Sequence, residues 1–449
     1  MLMKGYGVKE FGLNSKVDPN TLFMIGSNTK AFTATALAML DSEKKISLND
    51  RVTKWLPEFK LNNKLAGEQA IVRDLLSHRL GFKTFQGDFT YWGSNLSRQQ
   101  VIEKMGLVKA PFDFRTRWGY TNAAFVAAGE IIPRATGQQW EVFLKDRIFN
   151  PLGMTSTVAL SKDIQSAVNR AAAHTMVEGR LIAIPYPQID NLSAAGSISS
   201  SVSDMSKWVM MLLNNGKHNN RQLIPEPALQ QTWFPHSILG NGEYLFNTGH
   251  FSLYGLGWFL GEYSGKKIIS HTGGVNGFVT SVTLLPEENL GIIVLTNNDQ
   301  NSFYEALKWE VIDSYLNLPF RNYSKIYLEN SRRQSTEELN KDKALRDSVA
   351  IGQKAQLALN AYTGEYHNDF YGKLSVRKYG DELRMTLENH PTMFIKLQPL
   401  GGHRFYATFS DPIFGRQVFS FKADGRKITG VRVKVSGFIE YDPYDFVKK

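Results

Sequence analysis

The residues best placed to do chemistry are a serine and a lysine at the head of an apolar run, in Ile25-Gly26-Ser27-Asn28-Thr29-Lys30-Ala31-Phe32. Positions i and i+3 share one face of a helix, so the Ser27 hydroxyl and the Lys30 amine can meet. The first turn of a helix already carries partial positive charge, which disfavours an ammonium there, and burial would favour the neutral amine further. A neutral amine beside a hydroxyl is the minimum equipment for a serine nucleophile with its own base. The pattern is not sufficient by itself, because Ser-x-x-Lys recurs at Ser42/Lys45 and Ser264/Lys267, and Ser27 could simply cap a core helix. Its chemistry depends on partners elsewhere in the chain.

Two other stretches offer such partners. Trp118-Gly119-Tyr120-Thr121-Asn122 places a phenol and an amide before an alanine-rich helix. Tyr120 can pass a proton to a leaving group, and Asn122 can hold a substrate amide or the lysine; read blandly, Asn122 caps the helix and Tyr120 packs. Ile268-Ile269-Ser270-His271-Thr272-Gly273-Gly274 reads as a strand ending in an imidazole, a hydroxyl and unobstructed backbone. The N–H of Gly274, with that of Ser27 at a helix start, would form an oxyanion hole. His78, His174, His236 and His250 have no comparable setting, and spacing such as His-x-x-x-His is absent.

The elements that must position these groups follow from pattern. A short strand is expected over Gly5–Phe11, then helices over 27–41, 71–78, 123–132, 140–149 and 203–213. The small-residue run Ser193–Ser201 would let backbone approach a ligand, or is a plain loop. Strands are expected over 254–260, 267–270, 278–285 and 290–295, and a helix over 303–316. One strand before the helical region and several after it predict an antiparallel sheet built from both ends of the domain, with a helical lobe inserted between. Residues 321–358 read as a polar linker, and six short strands over 374–435 as a small β domain. The divisions are therefore 1–320, 321–358 and 359–449.

With 42% hydrophobic and 12% aromatic residues the chain is globular, and no apolar run is long enough to span a membrane. The start, Met1-Leu2-Met3-Lys4-Gly5, does not read as an export signal. The absence of cysteine excludes disulfides, thiolate metal sites and a cysteine nucleophile. Net charge is +10, but acidic and basic residues are interspersed, which argues against a nucleic-acid tract and leaves a weak pull toward anionic partners.

In order and separation, Ser27-Asn28-Thr29-Lys30, Tyr120-Thr121-Asn122 and His271-Thr272-Gly273 resemble the three motifs of the serine beta-lactamase-related hydrolases, peptidase S12 type. Leu75–Gly81, Asn150–Met154 and Ala194–Ser200 resemble supporting stretches of that family, over about residues 5–318. It groups class C beta-lactamases, D-alanyl-D-alanine carboxypeptidases, D-aminopeptidases and certain esterases. The resemblance implies an α/β (α+β) beta-lactamase/transpeptidase-like fold followed by an all-β, lipocalin-like barrel. It makes Ser27 the nucleophile, Lys30 its base and Tyr120 a partner in proton transfer. Asn122, His271, Thr272 and Gly273 would bind substrate, with the N–H groups of Ser27 and Gly274 polarising the carbonyl. No metal or cofactor is implied.

Beta-lactamases and carboxypeptidases of the family generally have a lysine where this chain has His271, and that lysine meets a substrate carboxylate, whereas its esterases, D-aminopeptidases and amide hydrolases more often carry the histidine. An imidazole there favours esters, small peptides or amides over anionic beta-lactams. Beta-lactamase or D,D-carboxypeptidase activity, and non-catalytic binding of a cell-wall or peptide ligand, are the alternatives. The resemblance also implies an extracytoplasmic, periplasmic-type setting; shaping or covering the cleft and self-association as a homo-oligomer are the roles open to the C-terminal domain.

Overall fold

The computed structural model describes residues 1–449. Helix α1, Thr29–Ser42, is buried on every side from Thr29 to Leu40, as an alanine- and leucine-rich helix at the centre of a domain must be. Around it stand short helices and two longer ones, α2 (Asn122–Thr136) and α3 (Val202–Leu213). This helical lobe precedes a six-stranded antiparallel sheet. Its strands are β1 (Ser237–Glu243), β2 (Thr248–Tyr254), β3 (Phe259–Tyr263), β4 (Lys266–Val275), β5 (Phe278–Leu285) and β6 (Leu290–Thr296), hydrogen-bonded in that order. All eight residues of β5 are buried because both its faces are covered. Helix α4, Phe303–Tyr315, packs on β5 and β6.

The sheet differs from expectation at three places, the first being that β1 and most of β2 lie ahead of the first strand expected after the helical lobe, at 254. Residues 5–11 add no strand to it: they form a turn with one bridge between Val8 and Lys16, and the Asn297 side chain, just beyond β6, donates to the Lys9 carbonyl. Gly5, Gly7 and Gly12 make the segment too pliant to hold an extended edge. The single strand expected over 254–260 is broken between β2 and β3. Gly257 sits there at φ +74°, and a Cβ on it would come within 2.6 Å of the Lys30 carbonyl oxygen. The break lets the chain pass against the start of α1.

Residues 321–358, expected as a linker, hold α5, a 28-residue helix over Tyr323–Ala350 with Tyr323 its one buried residue. Its helical period carries almost no apolar face, so it reads as solvated chain. Asp313 of α4 accepts from the Tyr263 and Tyr323 hydroxyls and anchors the first turn of α5. Near the far end, Asp342 accepts from Tyr406 and Arg416 of the C-terminal domain.

That domain is a closed antiparallel barrel of eight strands, β7 (Gly364–Asn368), β8 (Gly372–Tyr379), β9 (Glu382–Leu387), β10 (Phe394–Pro399), β11 (Arg404–Phe409), β12 (Arg416–Asp424), β13 (Lys427–Val433) and β14 (Tyr444–Lys448). The two strands beyond the six expected, β7 and β14, pair with each other and close it. One hydrophobic core runs without interruption from the helical lobe into the barrel. No helix is long and apolar enough to cross a membrane.

Candidate active site

Ser27 lies in a 3-10 turn, Gly26–Asn28, that leads into α1. Gly26 has φ +54°, and a Cβ on it would lie 3.0 Å from the backbone of Gly273 and Gly274, so only glycine lets β4 run this close to the serine. The turn is pinned by the Ile25 carbonyl, which accepts from Asn28 Nδ2 at 3.1 Å and Thr280 Oγ1 at 2.9 Å. The Ser27 N–H donates to no protein acceptor, as the first turn of a helix allows. Ser27 is half-buried, whereas Lys30 is fully buried.

Lys30 Nζ donates to Ser27 Oγ at 3.2 Å, Asn122 Oδ1 at 2.7 Å and the Ala195 carbonyl at 2.8 Å. It lies 4.6 Å from the centre of the Tyr120 ring. Burial pulls its pKa down to about 7, against the opposing pull of the Asp88 carboxylate. The Tyr120 phenol, whose partner is the Ser27 hydroxyl, is pushed well above its usual range by burial. At rest it stays protonated, and a proton that it passes on must be replaced in the same step.

The elements explain the convergence. Gly119 lets the segment before α2 lie against residues 82–85, since a Cβ there would sit 1.8 Å from the Phe82 carbonyl oxygen. Thr121 is the N-cap residue of α2, so Asn122 is released from capping and points its amide between Lys30 and Asp88. The run Ser193–Ser201 makes no cradle for a ligand. It forms a short helix and a two-residue strand against Phe23–Met24, and its carbonyls of Ala194 and Ala195 accept from Thr33 and Lys30 of α1. Small residues there serve a close approach to α1.

β4 pairs with β5 along its length but with β3 only as far as Ser270, leaving the His271–Val275 edge unpaired on the β3 side. Thr272 is exposed on it. His271 is not: it is 1% exposed. Its Nδ1–H donates to the Thr272 carbonyl at 2.6 Å, and its Nε2 accepts from the Tyr254 hydroxyl at 3.0 Å. Burial first, then the Lys30 charge, pulls its pKa down to about 3, so the ring is neutral. Tyr254→Phe leaves that buried nitrogen unpaired, and we expect it to lower the unfolding free energy by about 1–3 kcal/mol, read as a lower urea midpoint at unchanged slope.

Three side chains of this site have no motif of their own: Asp88, Tyr254 and, from the barrel, Glu440. His78 also belongs here, contrary to its unpromising sequence setting. Its ring lies 4.3 Å from that of Tyr120, and its Nδ1 accepts the Thr121 N–H at 3.0 Å. The loop between β13 and β14 adds aromatic rings. Phe438 approaches the position of a Gly274 Cβ to 3.3 Å and meets Trp92, while the Tyr441 ring lies tilted against Phe85, which touches Tyr120.

This arrangement can deprotonate a hydroxyl with a neutral amine, polarise a carbonyl beside an exposed strand edge and return the proton through a phenol. The sequence profile described as Beta-lactamase matches residues 1–317, and that of a domain of unknown function, DUF3471, matches residues 350–447. An unguisins hydrolase (ungD') of Aspergillus campestris is 27% identical over 391 residues, 83% of this chain and 71% of its own. The octameric penicillin-binding protein homologue of Pyrococcus abyssi has a similar fold, with TM-score 0.59 and 21% identity over 99% of this chain and 92% of its own. The D-amino acid amidase of Ochrobactrum anthropi SV3 aligns with TM-score 0.54 and 23% identity over 73% of this chain and 89% of its own.

Proposed function

Because the chain belongs to the beta-lactamase family of serine hydrolases, we propose that it cleaves an ester or a small peptide or amide bond through an acyl-enzyme on Ser27. The observation that carries this reading is a fully buried amine 3.2 Å from a half-buried serine hydroxyl, with its pKa brought down to about 7. Neutral Lys30 takes the proton as Ser27 Oγ attacks the carbonyl carbon. The N–H groups of Ser27 and Gly274 receive the developing oxyanion. Tyr120 gives its proton to the departing oxygen or nitrogen and is reprotonated by the Lys30 ammonium, which leaves Lys30 neutral again. Water, deprotonated by the same pair, then releases the acid and restores the serine. Asn122 holds Lys30, and Thr272 and Gly273 offer a hydroxyl and a strand edge to the substrate.

His271 acts in this scheme as a neutral wall that orients Tyr254. Buried, with both nitrogens engaged, it has no charge to offer a substrate carboxylate. Half-buried Phe85, Trp92 and Phe438 and exposed Tyr441 favour an apolar or aromatic group beside the scissile bond. The name of the similarly folded D-amino acid amidase supports including amides among the substrates.

A fluorophosphonate probe is expected to add once, with mass mapping placing the adduct on the peptide that contains Ser27. In a panel of p-nitrophenyl acetate, D-phenylalanine amide and nitrocefin, the ester or the amide should be turned over faster than nitrocefin. An adduct elsewhere, or none, would sink the assignment of the nucleophile, and rapid nitrocefin turnover would overturn the role given to His271.

A further inference from the structure

Behind Lys30 lies a second row of buried groups that the hydrolytic scheme leaves unused. Asn122 Oδ1 accepts from Lys30, and its Nδ2 donates to Asp88 Oδ2 at 2.6 Å. As a carboxylate Asp88 accepts from that amide, and it thereby turns the Asn122 carbonyl oxygen toward the lysine; burial holds its pKa up to about 7, so this orientation is firmest above neutrality. Asp88 itself is 2% exposed and sits between two residues gripped from the barrel. Glu440, in the loop between β13 and β14, accepts from the Gly87 N–H at 2.5 Å and the Phe89 N–H at 3.0 Å. Tyr371, also of the barrel, donates to the same carboxylate at 3.1 Å. Gly87 has φ +94° and no room for a side chain, because a Cβ would meet the Phe370 ring at 2.8 Å. The Gly87 and Phe89 N–H groups are thus held from the C-terminal domain, while the Asp88 N–H and the Gly87 carbonyl are engaged within the lobe by the Phe85 carbonyl and the Thr90 N–H.

We propose, resting on the assignment of Lys30 as the base, that Asp88 is a positioning residue for Lys30 through Asn122, and that Glu440 of the barrel holds Asp88 in register. The C-terminal domain is then part of the catalytic apparatus, through a chain of hydrogen bonds that runs Glu440, the 87–89 backbone, Asp88, Asn122, Lys30, Ser27. No bond to substrate is involved. The titratable groups that face Asp88 are Lys30, Tyr120, Glu440, Tyr91 and Tyr371. Of these Lys30 is the one cation, so the Asp88 charge acts on it directly.

The variants Asp88→Ala, Asp88→Asn and Glu440→Gln separate positioning from mere support. Alanine removes the acceptor for Asn122, and we expect kcat and the rate of fluorophosphonate labelling to fall by about 10- to 100-fold with KM unchanged. Asparagine keeps an acceptor and loses the charge. It should recover most of the rate, with the acid limb of the pH profile moved to lower pH, because the anion that raises the Lys30 pKa is gone. Glutamine at 440 keeps one acceptor oxygen but turns its NH2 toward the other N–H donor, and should lower kcat without moving KM while the protein stays folded by circular dichroism. Folded Asp88→Ala and Glu440→Gln proteins with wild-type rates and a wild-type acid limb would overturn the inference. So would losses that follow only the fraction of folded protein. A wild-type protein that takes no label at Ser27 would overturn the base assignment together with this inference, whereas normal labelling of the Asp88 variants overturns the inference alone.

Discussion

Ser27→Ala is expected to lower turnover by on the order of 10⁶-fold and to take no phosphonate label, as loss of the nucleophile does in other serine acyl-transfer sites. Lys30 should be nearly as critical, with Lys30→Ala costing about 10²- to 10⁴-fold in kcat. The more telling change is Lys30→Arg. Its guanidinium keeps a cation in the same place but is charged at every accessible pH, so it cannot accept the serine proton. If Lys30 served only to hold charge beside Ser27, arginine would rescue; if it is the base, arginine fails like alanine. The pH dependence has a defined sign. The amine must be neutral to work, and with a pKa of about 7 its working form grows in as pH rises. The acid limb of kcat/KM should therefore fall near pH 7 and vanish in both Lys30 variants. A limb that persists in Lys30→Ala belongs to another group.

Gly273→Ala is expected to damage fold and catalysis together. A Cβ there would stand 1.9 Å from the Ile25 carbonyl oxygen and 2.7 Å from Thr280 Oγ1. Backbone cannot yield as a side-chain tip can, so β4 and the turn before Ser27 must separate. That carbonyl also gathers the bonds from Asn28 and Thr280 that pin the turn, so displacing it moves the nucleophile against its base. Overpacking of this kind costs about 1–3 kcal/mol or more, and a misplacement near 1 Å about 10²-fold in rate. Thermal melts and labelling rates of one preparation measure both. Gly437→Ala is the control: its Cβ would meet the Tyr441 ring at an ordinary 3.7 Å, and stability should stay within about 0.5 kcal/mol.

What the sequence reveals of this site divides along a physical line. Ser27 and Lys30 are legible because helical spacing alone brings them together, and Tyr120, Asn122 and the His271–Gly274 run because a loop end or strand end carries unusual chemistry there. Asp88, Tyr254 and Glu440 are silent, since their importance arises from contacts between segments that no local period connects. The orientation of His271 is equally hidden: a histidine at a strand end reads as available, yet Tyr254 and the Thr272 carbonyl claim both its nitrogens. Helix α5 was obscured by lacking an apolar stripe, and barrel strands β7 and β14 by being short and polar at their closing edge. The N-terminal segment misled in the opposite direction, its alternation suggesting a strand that its glycines do not sustain.

The protonation of the buried Lys30 and Asp88 has a consequence for the durability of the enzyme. Between about pH 7 and 10.5 the unfolded chain binds a proton at Lys30 that the folded chain does not, so stability from this residue rises with pH across that window. For Asp88 the folded chain holds the extra proton between 3.8 and about 7, and stability falls as pH rises there. The two slopes, each up to about 1.4 kcal/mol per pH unit, meet near neutrality. The protein is therefore least robust, as far as this pair is concerned, at the pH where its base becomes competent.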